Sequence, residues 1–201
     1  MRPPAENIVP FPAPLARLAL PTRVRSTLIV SSLRSLQVRG LDSVYAARVD
    51  PAWREVLRQA VAGTWLPIAA GVAHYRACDS AVPTATDQIA IGREVGDRLH
   101  ATFLGTMIRA ATGAGITPWV VFAYAQKFYD RLFDGGGCCA TKLGPKDAQL
   151  EMAQNPLIEI SYFRNAARGL WMSALELFCT KAYARETVRT ESSFSVKISW
   201  A

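Results

Sequence analysis

The sequence predicts an α+β domain, with a helical N-terminal part packed on a small, mostly antiparallel twisted sheet. The order is helices, then strand–strand–helix–strand–strand. Three stretches carry this reading. From Pro156 to Lys181, Ile160, Phe163, Ala167, Leu170, Trp171, Ala174 and Phe178 recur at three- and four-residue steps, one apolar stripe of a long helix. From Ser192 to Trp200, Phe194, Val196, Ile198 and Trp200 alternate with Ser195, Lys197 and Ser199, the two-residue period of a half-buried strand. Before the helix, Ala148, Leu150 and Met152 alternate with Gln149 and Glu151 in the same way. Extended runs on both sides of one helix favour hairpins, and hence an antiparallel sheet with helices on one face.

The elements follow in order. Residues 1–21 hold six prolines and predict a disordered, extended arm; residues 22–201 read as a single domain. Thr22 to Leu36 has helical spacing with Thr22 as its cap, though β-branched Val24 and Ile29 leave a strand open. Asp50-Pro51 starts a helix, a capping side chain followed by proline at the first position, with Trp53, Val56, Leu57, Ala60 and Val61 as its inner face. A short helix from Pro67 fades near Cys78, and Asp79 to Asp87 reads as a loop from its Ser, Pro and Thr content. Asp87 to Ala111 is a strong helix with Ile91, Val95, Leu99, Phe103, Met107 and Ala110 inward. Thr117-Pro118 opens another that runs to Phe133, with Val121, Tyr124, Phe128 and Leu132 inward, and Gly135-Gly136-Gly137 stops it. Cys138 to Leu143 is a short strand, turned at Gly144-Pro145. Asn155 caps the long helix and Pro156 is its first residue. Ala182 to Thr190 pairs with the last strand.

Composition narrows the class of job. Half of the 201 residues are hydrophobic and 19% are charged, as in a globular chain. No apolar run is long enough to span a membrane, and the start lacks a basic segment followed by an unbroken apolar core, so a cytoplasmic protein is expected. The net charge is +7, and residues 1–58 hold nine arginines against four acids. They are spaced singly, without interleaved stacking aromatics, which favours a solvated face over a nucleic-acid surface.

The chemistry-bearing residues are few. There is no GxSxG, no phosphate loop and no HExxH, so no enzyme is expected. The triple glycine runs from a helix into a strand, the reverse of a phosphate cradle. Cys78, Cys138, Cys139 and Cys179 include no CxxC pair, which predicts reduced thiols and no metal site. His74 and His100 lack companion carboxylates and read as structural. The candidate ligand-binding set is Phe128, Tyr162, Phe163, Arg164, Arg168, Trp171 and Cys179. Its aromatics would lie between helices and sheet, Arg164 and Arg168 would share one face of the long helix, and Cys179 would be its inward thiol.

ArgValArgSerThr at 23–27, AlaIleGlyArg at 90–93 running into PheLeuGlyThr at 103–106, LeuGlyPro at 143–145 and SerPheSerValLysIleSerTrp at 193–200 together resemble an uncharacterised family expanded in myxobacteria. That family is related to the 4-vinyl reductase domain, the TRAPP subunits and the haem nitric-oxide-binding domains. The resemblance covers nearly the whole chain after the arm. It implies a helix-plus-twisted-sheet fold, dimeric through its helices, that holds a ligand or partner instead of transforming a substrate. Haem sensors of this group carry a proximal histidine and a Tyr-x-Ser-x-Arg motif; no tyrosine here opens that motif, so no cofactor is expected. Only Cys179 falls where the reductase type places its cysteines. The expected function is a non-enzymatic binding or signalling module for an apolar or acyl small molecule, or for a protein partner, acting as a homodimer. The alternative is a metal or redox sensor, or an enzyme, built on Cys138, Cys139, Cys179 and the histidines.

Overall fold

The computed structural model describes residues 5–99 and 117–201. Its larger sheet is built from β1 (Glu6–Val9), β4 (Gly137–Gly144), β5 (Asp147–Ala153), β6 (Ala182–Arg189) and β7 (Ser193–Trp200), in the order β1-β4-β5-β7-β6, and every neighbouring pair is antiparallel. A second, two-stranded ribbon pairs β2 (Arg23–Arg25) with β3 (Trp65–Pro67). The helices are α1 (Ser26–Val38), α2 (Asp42–Arg48), α3 (Pro51–Arg58), α4 (Ile68–Ala81), α5 (Ala85–Leu99), α6 (Trp119–Ala123), α7 (Ala125–Asp130) and α8 (Ser161–Leu175). The α+β class and the closing hairpin are as the alternation predicts. Ala148, Leu150, Met152, Phe194, Val196, Ile198 and Trp200 all turn one sheet face into the core.

The expected long helix is shorter and starts later. Pro156–Glu159 forms one 3-10 turn, which Asn155 caps by accepting the Leu157 N–H at 3.0 Å. Ile160 then takes an extended backbone, φ −89° and ψ 123°, and α8 begins at Ser161. The break leaves the carbonyls of Ile158 and Glu159 without helical donors; Arg164 supplies one through its Nη1 at 2.8 and 3.0 Å. Arg164 is itself buried and pairs with Glu186 at 3.1 Å, so it is no part of a solvated face. Asn165, off the apolar stripe, is buried too, because α8 is covered on one side by α5 and on another by the sheet.

The α5–α8 crossing is the tightest among the described residues. A Cβ placed on Gly92 would lie 2.1 Å from the Ala166 carbonyl oxygen, and one on Gly169 would lie 2.1 Å from that of Ile89. One turn on, a Cβ at Gly96 would meet the Ser173 side chain at 2.9 Å. Buried polar groups lock the crossing. Asn165 Nδ2 donates to Gln88 Oε1 at 2.7 Å, and Gln88 Nε2 donates to the Val82 carbonyl at 2.7 Å. Outside this pair, Arg93 bridges to Glu176.

Elsewhere the sequence expectations are corrected in five places. The proline-rich arm, expected to be disordered, contributes β1: Glu6, Asn7 and Val9 pair with Lys142, Thr141 and Ala140, because residues 5–9 between Pro4 and Pro10 carry no proline and keep their backbone donors. Thr22 does not cap a helix. Its N–H and hydroxyl, with the N–H and Nε of Arg23, all donate to the Asp134 carboxylate, and β2 precedes α1. Burial works against the Asp134 charge, but those four donors outweigh it and hold its pKa well below the usual carboxylate range. The stretch 79–87 is mostly helical: α4 runs to Ala81, and Thr84 Oγ1 accepts the Asp87 N–H to start α5. The helix expected over 117–133 is divided at Tyr124 (φ −106°, ψ 7°), which resets the helical phase and turns Tyr124 outward under Lys127. In α3 only Leu57 is buried; Val56 and Val61 are exposed, because the helix forms the outer wall of an open groove. Residues 100–111 of the helix expected from Asp87 lie outside the described residues, as does His100.

Candidate functional site

An apolar cavity of about 50 Å³ lies where α1, α4, α5, α7 and α8 meet β5. Three layers build it. Ile91 and Val95 come from α5, on the inward stripe its periodicity predicts; Gly92, between them, lets α8 approach. Tyr162, Phe163, Ala166, Leu170 and Trp171 come from α8. Phe128 and Tyr129 of α7, Leu132 and Phe133 beyond it, and Met152 of β5 close the far side. The aromatic rings brace one another. Phe128 meets Trp171 edge-on at 5.7 Å between centroids, and Tyr75 meets Phe163 at 5.1 Å.

Four of the seven residues singled out from the sequence, Phe128, Tyr162, Phe163 and Trp171, are brought together here. The other three are placed elsewhere. Arg164 is tied to Glu186, and Arg168 donates through Nε and Nη2 to the Ala184 carbonyl of β6 at 3.2 and 2.9 Å. Cys179 lies beyond the end of α8, where its thiol bonds the Leu175 carbonyl at 3.2 Å. Sequence reasoning missed Ser32, Tyr75, Tyr129 and the small residues Gly92 and Ala166. The spacing Gly92-x-x-x-Gly96 was the available signal for the close helix approach.

Polar atoms enter the cavity at two places. Tyr129 Oη accepts from Asn155 Nδ2 at 2.9 Å. Tyr162 Oη and Ser32 Oγ are hydrogen-bonded at 3.2 Å and start a buried polar row leading away from the cavity. Ser32 Oγ is 3.9 Å from Cys78 Sγ, Cys78 Sγ is 3.5 Å from His74 Nε2, and His74 Nδ1 is 2.8 Å from Tyr45 Oη. Burial pushes the His74 imidazole down to about 3, so it is neutral, and pushes the Cys78 thiol and the Tyr75, Tyr129 and Tyr162 phenols up. Burial raises the Tyr45 phenol as well, so all five groups of the row, Tyr162, Ser32, Cys78, His74 and Tyr45, are uncharged hydrogen-bonding groups at neutral pH. Burial also raises the Cys138 thiol, takes Cys139 up to about 11, and with Glu176 raises Cys179. Such thiols are poor nucleophiles. Among the described residues no three His, Cys, Asp or Glu side chains converge as a metal-binding group.

The arrangement defines a class: an α+β domain that encloses a small apolar chamber between a helical pair and a sheet. Solved structures share its fold. The Fe(II) unliganded H-NOX protein from K. algicida superposes with a TM-score of 0.64 at 8% identity, covering 88% of this chain and 96% of that one. An oxygen-binding H-NOX domain related to soluble guanylate cyclases, solved as its oxygen complex, gives 0.57 at 13% identity over 87% of this chain and 92% of that one. A protein studied for haem redox potential under porphyrin distortion gives 0.56 at 14%, over 88% and 99%. The fold of this chain is thus that of the H-NOX domains. No protein-family model matches the sequence, and neither does any curated protein.

The fold brings haem into question. Among the described residues no histidine faces the cavity, since His74 is engaged by Tyr45 on one nitrogen and faces Cys78 with the other. Among the described residues no lysine or arginine lines the cavity to meet a propionate. A space of about 50 Å³ also falls well short of the several hundred Å³ typical of cofactor pockets. The described residues do not fit the group.

Proposed function

We propose that this chain is a non-enzymatic sensor module that holds a small apolar molecule, without haem, between α5, α8 and the sheet. The observation that carries the reading is the apolar chamber between the helices and the sheet, with hydrogen-bonding groups in its wall at Tyr129 Oη and at the Tyr162 Oη–Ser32 Oγ pair. Its volume admits a few water-sized atoms' worth of ligand, at roughly 10–15 Å³ each on this measure. Phe128, Phe163 and Trp171 supply the contact surface, and Tyr162 orients any polar end. A longer acyl chain, which the sequence also allows, would have to part α7 from α8. Among the described residues the wall is uncharged and no group is placed as a base or nucleophile, which supports binding over turnover. Self-association through the helices belongs to the same proposal and is read by native mass spectrometry.

Xenon is a suitable probe, because dry apolar cavities take it up. Methyl NMR under xenon pressure is expected to show saturable shifts confined to Leu28, Ile91, Val95, Leu132 and Leu170. Ala167→Leu, which fills the chamber, is expected to abolish them. Shifts spread over the surface, or none at all, would overturn the binding reading. A stoichiometric Soret band retained by the purified protein would overturn its haem-free part.

A further inference from the structure

The helices on the far side of the molecule leave an open groove of about 650 Å³ between α1, α2 and α3. Its floor is apolar, with Leu36, Val49 and Leu57 buried there and the ring of Tyr45 beside them. Its rim is basic, carrying Arg34, Arg54 and Arg58 against the single carboxylate of Asp42. Arg58 is held by Glu55. Arg34 and Arg54 are exposed and make no hydrogen bond or ion pair with another described residue.

The same three helices and their flanks show apolar side chains that the fold does not use. Val38, Val44, Val56 and Val61 are 77%, 43%, 37% and 68% exposed. They sit beside groove residues in the chain, just past Gln37, between Asp42 and Tyr45, next to Leu57, and just past Ala60. An apolar groove needs an apolar stripe to cover it, and unpaired guanidiniums along its rim need carboxylates. A free small anion would satisfy the arginines and leave the apolar lining wet.

We infer that this groove docks an acidic amphipathic helix of a partner protein, its apolar stripe on the half-buried Val30, Leu33 and Ala60 that line it and its carboxylates on Arg34 and Arg54. The mode is helix-in-groove recognition, with anchors at three- and four-residue spacing. It is independent of what fills the chamber at the α5–α8 crossing. The rim charge would set encounter rate and charge selectivity, and the floor would set residence.

The test uses the full chain and a fluorescein-labelled helical peptide about four turns long, with leucine on one face and glutamate on the flanks. Saturable anisotropy binding in the micromolar range is expected, weakening as salt is raised. Amide shifts are expected to map to α1, α2 and α3. Arg34→Glu with Arg54→Glu, at sites exposed enough to leave folding intact, should weaken binding at least tenfold. A peptide with lysine in place of glutamate should bind at least tenfold worse than the acidic one. The inference is overturned if the acidic peptide does not bind, if the double variant or the lysine peptide binds as well, or if the shifts map elsewhere. It is also overturned if only anionic vesicles of phosphatidylserine and phosphatidylcholine bind, since the surface would then be a lipid contact. The xenon experiment is blind to these substitutions, so the two readings fail separately.

Discussion

Replacing Gly92 with alanine tests the close crossing on which the chamber depends. The added Cβ would sit 2.1 Å from the Ala166 carbonyl oxygen and 2.6 Å from the Ala166 Cα. A relaxed carbon-to-oxygen contact needs about 3.3 Å, so α5 and α8 must part by about 1 Å. The obstacle is backbone, and no rotamer change can relieve it. Overpacking of this kind costs about 3 kcal/mol at the upper end of its usual range. Alanine returns about 1 kcal/mol through its better helix propensity. Parting the helices also strains the Asn165–Gln88 hydrogen bond, which lies one turn away. A net loss of about 2 kcal/mol is expected, seen as a lower urea midpoint at unchanged m-value and a Tm lower by about 4–8 °C. Gly144→Ala is the control: its Cβ would meet nothing nearer than the Asp147 side chain at 3.6 Å, so a change within about 0.5 kcal/mol is expected. If Gly92→Ala were as stable as the parent, helix propensity would outweigh packing and the crossing would not be closed on glycine.

Two further predictions concern the buried groups. His74 is neutral in the fold, its imidazole at about 3 against about 6.5 when unfolded, so the unfolded chain binds the extra proton as pH falls between those values. Stability from this group is complete above about pH 6.5 and is lost on acidification, by about 2 kcal/mol between pH 6.5 and 5; urea titrations across that window should flatten in His74→Phe, and an equal slope in both proteins would contradict the assignment. For the thiols, iodoacetamide at neutral pH followed by peptide mass spectrometry should label Cys179 first and Cys139 slowly. Cys78 and Cys138, both buried, should label only in denaturant, and labelling of Cys78 at the rate of Cys179 would show the core to be open.

Much of the fold was legible because strands that bury one face announce it. Ala148, Leu150 and Met152, and then Phe194, Val196, Ile198 and Trp200, alternate without interruption, and the hairpins followed from that. The aromatic half of the cavity was legible for a related reason: Tyr162, Phe163 and Trp171 lie on the inward faces of one amphipathic helix. Arg164 and Arg168 misled because spacing gives a face and not a depth. A second layer, β6 with Glu186, covers the side of α8 that a lone helix would leave wet. Gly92 and Gly169 carried no hydrophobic signal, so the tightest contact among the described residues was invisible to a stripe of large residues. Tertiary choices, such as the extended Ile160 and the break at Tyr124, are made by surroundings that no local window contains.

The row from Tyr162 to Tyr45 has one consequence of its own. Each uncharged member has a single proton to give, so the donors must all point the same way along it. If Tyr162 gives its proton to an occupant, Ser32, Cys78 and His74 each donate toward Tyr162, and Tyr45 donates to Nδ1. If Tyr162 accepts from an occupant and turns its own hydrogen to Ser32, the sequence reverses and the imidazole carries its hydrogen on Nδ1 instead. The tautomer of one ring then records whether the guest accepts or donates, some four side chains away from where it sits, and ¹⁵N shifts of His74 would read it.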